Sequence, residues 1–224
     1  MTSGIGIIDM LSLNETIAGE IFSGCEYPWE VLPKISAFIM NLGATLSPDV
    51  FDHPAEDVWI ARNATVFPSA YIQGPCIIDQ YAEIRHCAFI RGSAIVGART
   101  VVGNSTELKN VILFNNVQVP HYNYVGDSIL GYKAHMGAGS ITSNVKSDKS
   151  LVTVCVNKES INTELKKFGA VLGDHVEVGC NAVLNPGTLI GRNSTVYPLT
   201  MVRGFIPKDS ILKGNNILTK KILE

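Results

Sequence analysis

Between residues 60 and 108 a branched aliphatic or leucine recurs at every sixth position, as Ile60, Val66, Ile72, Ile78, Ile84, Ile90, Val96, Val102 and Leu108. Four residues after each of the first eight comes a small one: Ala64, Ala70, Cys76, Ala82, Ala88, Ala94, Thr100 and Thr106. A helix would repeat its apolar positions at three, four and seven, and an ordinary strand at two over short runs. A strict six is the period of a hexapeptide β-helix, in which short strands wind round a prism and every aliphatic points inward. The expected fold is therefore all-β, a parallel β-helix of hexapeptide repeats over residues 58–206. Three hexads make a coil, so residues about 18 apart stack roughly 4.8 Å apart.

Two sides of the prism are expected to be short. Five residues separate Leu108 from Leu113 and Val125 from Leu130, and the phase resumes at Val119 and Met136. With those steps counted, outward positions fall into columns: His86, Asn104, His121 and Ala138 in one, Arg91 and Lys109 in a second, Glu107 and Tyr124 in a third.

The remaining segments lack the period. Residues 1–57 read as a small helical N-terminal cap, with Ser12 and Glu15 spaced as a capping box and Pro28 opening a second helix through Val31, Ile35, Phe38 and Ile39 that stops near Gly43. Laid across an end of the prism, such helices would cover its unpaired strand edges. The repeat fails after Thr142 and returns at Leu172, so residues 143–170 read as an ordered excursion, and LVTVCV within it suggests a hairpin. Residues 207–224 read as a C-terminal surface tail.

Charge and cysteine content narrow the function. A formal net charge of −2 gives no basic field for nucleic acid, and no apolar run approaches the ~18 residues of a membrane span. Five cysteines without a CxxC spacing read as reduced thiols, as in a cytoplasmic protein. Small-molecule chemistry is the better expectation.

The segments IRGSAIVG, NSTELKN, VPHYNYVGDSILG and MGAGSITSN carry a resemblance. H-x-x-Y-x-G-D followed by G-A-G-[ST]-I-T-x-N resembles the C-terminal acetyltransferase domain of the bifunctional N-acetylglucosamine-1-phosphate uridyltransferase / glucosamine-1-phosphate N-acetyltransferase family, over residues 58–205. The resemblance implies a left-handed β-helix, a homotrimer with sites between subunits, acetyl-CoA as co-substrate, an amino-sugar 1-phosphate as acceptor, and no metal. It makes His121 the catalytic base, with Glu107 as the carboxylate that orients it. Arg91 and Lys109 match phosphate-binding positions, Tyr124 and Asn144 sugar contacts, and Lys149, across a gap, a later lysine. Ala138, with Gly139, faces the thioester, and Cys180, Tyr197 and Pro198 match contacts to coenzyme A.

These residue types suit the chemistry. The sugar amine must lose a proton before attacking a thioester, and an imidazole, with an unperturbed pKa of ~6.5, can take it. Backbone amides of Gly137, Ala138 and Gly139 can meet the oxyanion. The chain departs from the pattern at His135, where many relatives have asparagine, and at Val145, where many have tyrosine, both near the sugar or the cofactor; His135 is counted with the substrate contacts, and the identity of the acceptor stays open. No Gly-rich nucleotide signature precedes the repeat, so this chain alone is not expected to make a UDP-sugar. Two other readings are a non-catalytic sugar-phosphate-binding or regulatory subunit and a γ-type carbonic anhydrase. The second would use His86 and His121 on zinc but lacks the close later histidine, since position 126 is Gly126.

Overall fold

The computed structural model describes residues 4–157, 159–214 and 217–222, and in it each hexad supplies one short strand and one corner. Ile84, Ile90, Val96, Val102, Leu108, Leu113 and Val119 point inward and are fully buried, each worth about 1.5–3 kcal/mol of transfer free energy. Polar residues in the small inward slots are satisfied: the Thr100 hydroxyl donates to the Phe114 carbonyl at 2.8 Å and that of Thr106 to the Val119 carbonyl at 2.9 Å. Cys76 occupies one such slot, where burial pushes its thiol up to about 12. Corners turn through left-handed backbone at Arg99, Ser105, Asn110, Asn116, Tyr122, Asp127 and Lys133 (φ +48° to +60°). Their spacing is six except from Ser105 to Asn110 and from Tyr122 to Asp127, where it is five. Both short sides thus lie where the sequence puts them, and the result is the all-β parallel β-helix expected of the repeat.

One face of the prism differs from the other two. Its outward column runs Trp59, Ile77, Ile95, Ile112, Ile129, Val171, Leu189, Phe205 in unbroken parallel register. The six residues from Ile77 to Leu189 are fully buried although they point away from the core. The N-terminal segment covers them. Helix α1 (Ile7–Met10) lies near the late coils, where the Met10 carbonyl accepts the Asp174 amide at 3.0 Å. Further on, the Glu15 carbonyl accepts the Asn115 amide at 2.9 Å, Phe22 meets Phe114 edge-on at 6.0 Å, and the 3-10 helix Pro28–Lys34 brings Trp29 to 5.9 Å from Phe168. Helix α2 (Ile35–Gly43) crosses the strands Cys76–Ile78, Ala94–Val96 and Glu107–Leu113 with Ile35 and Ile39 buried. It ends where Gly43 leaves no room for a side chain against Trp59.

This corrects the expected end cap: the segment is a strap laid lengthwise along a face, because an apolar outward column needs cover more than a strand edge does. Ser12 forms no capping box either, since its hydroxyl donates to the buried Asp174 carboxylate at 2.7 Å. The excursion contains an antiparallel hairpin, Thr153–Val156 with Glu159–Asn162, after which Ala170–Leu172 rejoins the prism. The expected surface tail instead continues the stack. Ser210–Lys213 pairs in parallel with Thr195–Val196, and Ile217–Lys220 folds back antiparallel along its edge. No helix among the described residues is long and apolar enough to cross a membrane.

Ile112→Ala should destabilise the chain by ~2–5 kcal/mol, as an inward deletion would, because the strap makes an outward position part of the core. Urea denaturation measures it, and a cost below ~1 kcal/mol would mean the strap does not seal that face.

Candidate active site

The ladder between coils brings the motif residues together. At one corner the Ser105, Tyr122, Gly139, Asn181 and Leu199 amides donate in turn to the carbonyls of His86, Asn104, His121, Ala138 and Cys180, at 2.9–3.2 Å. His121 therefore stands between Asn104 and Ala138, and the column expected from the spacing extends to Cys180 and, beside Leu199, Pro198. His121 is exposed, and its imidazole has no hydrogen bond among the described residues. His86 packs its ring against Phe67 at 4.4 Å.

Three amides were candidates for an oxyanion site, and two are already engaged. Gly137 donates to the Val178 carbonyl at 2.7 Å and Gly139 to that of His121 at 3.0 Å. The Ala138 N–H has no acceptor among the described residues.

Arg91 and Lys109 share a column on the adjoining face, as the Leu108 and Ile90 register requires. Each cation already holds a carboxylate. Arg91 Nη1 lies 2.7 Å from Glu107 Oε1, a contact that raises the guanidinium pKa, and Lys109 Nζ lies 3.6 Å from Asp127 Oδ2. Glu107 is thus bonded to Arg91 and makes no hydrogen bond to His121 among the described residues.

Asp127 is nearly buried at the second short corner, and sequence reasoning gave it no role although it closes the H-x-x-Y-x-G-D motif. Its carboxylate also accepts the side-chain amides of Asn110, at 2.9 Å, and Asn144. Asn144 Nδ2 lies 3.3 Å from the Tyr124 hydroxyl. Lys109, Tyr124 and Asn144 are therefore gathered round one acid. Burial, and then the Asp127 charge, push the Tyr124 phenol above its ordinary value.

His135 is not part of this cluster. It lies on the other side of the corner, with Nδ1 2.7 Å from Glu177 Oε2. There it lines a shallow groove of ≈ 320 Å³ with Cys180, Tyr197 and Pro198, the residues expected to contact coenzyme A, and stands apart from Lys109, Tyr124 and Asn144. Lys149 sits in the exposed loop that leaves the prism, and its side chain contacts none of the cluster among the described residues. Asn123, also unread in the sequence, is buried beneath His121 and bonds to both coils of the corner. No group of three His, Cys, Asp or Glu side chains suited to a metal ion occurs among the described residues.

Comparison with known proteins adds a family. The family model described as GMPPB C-terminal domain matches residues 71–190. A bifunctional protein GlmU from Methanococcus vannielii is 34% identical over 197 residues, covering 87% of this chain and 47% of its own. A bifunctional sugar-1-phosphate nucleotidylyltransferase/acetyltransferase from Sulfurisphaera tokodaii is 32% identical over 58% of this chain and 37% of its own. The chain thus spans about half the length, or less, of these curated relatives. Among solved structures, the D94A mutant of AntD, an N-acyltransferase from Bacillus cereus in complex with dTDP and coenzyme A, has 15% identity and a TM-score of 0.41, covering 78% of this chain and 92% of its own.

Asp127→Asn keeps the shape of the acid and removes its charge, so the Tyr124 phenol should ionise at lower pH than in the parent. Ultraviolet titration, with Tyr124→Phe subtracted to isolate this ring, reads the shift; an unchanged titration would place the Asp127 charge out of reach of the phenol.

Proposed function

The chain belongs to the GMPPB C-terminal domain family, and from that premise we propose that it transfers the acetyl group of acetyl-CoA to the amine of an amino-sugar 1-phosphate. The name of the relative from Sulfurisphaera, a sugar-1-phosphate nucleotidylyltransferase/acetyltransferase, supports acetyl transfer in sugar-phosphate chemistry. The observation that carries the reading is the corner column, in which His121 and Ala138 are joined by the Gly139-to-His121 ladder bond and Cys180 continues the line.

The imidazole of His121 takes a proton from the sugar amine, and the nitrogen attacks the thioester carbon. The oxyanion is met by the one uncommitted amide of that turn, at Ala138. Collapse forms the amide bond and expels the coenzyme A thiolate, which takes up a proton, so no covalent enzyme intermediate arises. The pantetheine arm runs along the groove of His135, Cys180, Tyr197 and Pro198.

Arg91 and Lys109 receive the phosphate, and Tyr124 and Asn144 the sugar. Because both cations already hold carboxylates, the phosphate enters by exchange: it competes with Glu107 for Arg91 and leaves that carboxylate free to turn toward His121. The active assembly is a homotrimer whose sites lie between subunits, with residues of the 143–170 excursion, Lys149 among them, reaching a neighbour.

His121→Ala should lower kcat by ~10²–10⁴-fold with acetyl-CoA and glucosamine-1-phosphate, followed by release of free thiol, while light scattering still finds a trimer. Parent-like turnover by a folded His121→Ala trimer would sink the base assignment, and a monomeric parent the shared site. Lys109→Ala should raise the acceptor KM far more than that of acetyl-CoA, by the equivalent of ~1.5–3 kcal/mol. Equal discrimination between phosphorylated and plain glucosamine by the parent and Lys109→Ala would refute the clamp.

A further inference from the structure

Asn123 follows two residues after His121, at the inside of the corner, and is 2% exposed. Its Oδ1 accepts the His121 N–H at 3.1 Å. Its Nδ2 reaches across to the next coil, 2.8 Å from the Gly137 carbonyl, 3.1 Å from that of Ser140 and 3.2 Å from Ser140 Oγ. From that same coil the Gly139 amide donates back to the His121 carbonyl at 3.0 Å. The peptide of His121 is therefore gripped at both ends, while its imidazole is unbonded among the described residues. The turn holding Ala138 closes on itself through the Ser140 hydroxyl, which donates to the Gly137 carbonyl at 2.7 Å.

We propose that Asn123 is the positioning residue that sets the distance between the base on His121 and the amide of Ala138, an inference that rests on the acetyl-transfer reading above. Only a primary amide meets the geometry. One end must accept the N–H of His121 and the other must offer its two N–H groups to the oxygens of Gly137 and Ser140 on the next coil; a carboxylate lacks the donors, and serine or threonine is too short to serve both coils. The Gly139 amide ties the two coils at the His121 carbonyl, and Asn123 adds a second tie at the same corner, from the His121 N–H to the turn that holds Ala138. In the proposed reaction this is the corner where a proton acceptor and an oxyanion donor must meet the same substrate. Misplacement of about 1 Å can cost ~10²-fold in rate without loss of binding.

The test compares kcat and KM for the parent, Asn123→Asp, His121→Ala and the double variant, with melting curves for each. Asn123→Asp is nearly isosteric but offers no donor to Gly137 and Ser140. The expected result is a kcat lower by ~10²-fold with both KM values within ~3-fold, and in the His121→Ala background a further loss below ~3-fold, because a misplaced base costs nothing once the base is gone. A merely structural role would lower kcat equally in both backgrounds, and that result overturns the proposal, as does parent-like kcat in folded Asn123→Asp. Should Asn123→Asp fail to fold, Ser140→Ala removes one acceptor of the Asn123 amide together with the hydroxyl bond to the Gly137 carbonyl, and should lower kcat by ~3–10-fold in the parent but not in the His121→Ala background, with unchanged kcat or an equal loss in both counting against the proposal. A parent chain that acetylates no amino-sugar phosphate is a different failure: it removes the proposed function and this inference with it.

Discussion

Every position of interest depends on the backbone ladder between successive coils. It converts sequence separation into vertical distance, so that His121 and the Gly139 amide, in different hexads, meet at 3.0 Å. Because strand side chains alternate between faces, a slip of one residue along any side would carry an aliphatic out and a polar group in. The two five-residue sides respect this rule by removing their residue at a corner, where Asn110 and Asp127 turn through left-handed backbone, and leaving the strands in phase. The second short corner is also where Asp127 enters the cluster with Lys109 and Asn144. A deviation from the repeat has thus become a feature of the site.

The charges in that cluster are balanced before any ligand arrives. Arg91 with Glu107 is a partly exposed pair, of a kind that contributes little to stability. Lys109 with Asp127 is different, since the acid is nearly buried and carries two side-chain amides as well. One pair stands partly in solvent and the other is anchored on a nearly buried acid, although the two look alike in sequence.

Much of this was legible in the chain before any coordinates. The period of six, both short sides and the columns through His121 and through Arg91 and Lys109 follow from counting, because each coil's strands must lie in register with the last. What escaped is what counting along one period does not address. The strap's docking face is written in Ile77, Ile95, Ile112, Ile129, Val171 and Leu189, each directly before an inward aliphatic, a pattern visible only one coil at a time. That Glu107 rests on Arg91 was not legible, because spacing fixes a column and not the direction a long side chain takes within it. The surroundings of His135 were not legible either, because its neighbour Glu177 lies 42 residues on, beyond the excursion, where the strand His135–Met136 pairs with Glu177–Val178. The last strands were missed because Pro207 breaks the motif while the ladder continues past it.

The strap also changes how the prism holds together as a chain. A bare solenoid is stabilised by nearest-neighbour contacts, so its coils can fray one by one from either end. Here Gly4 packs against Phe205, Met10 bonds to Asp174, and Gly43 closes on Trp59, so one segment bridges coils from the last to the first. Gly4 and Phe205 are 201 residues apart in sequence and Met10 and Asp174 are 164 apart, and closing such loops is slow in folding but spreads the loss when any coil opens. A molecule built of repeats is thereby expected to open as a single cooperative unit.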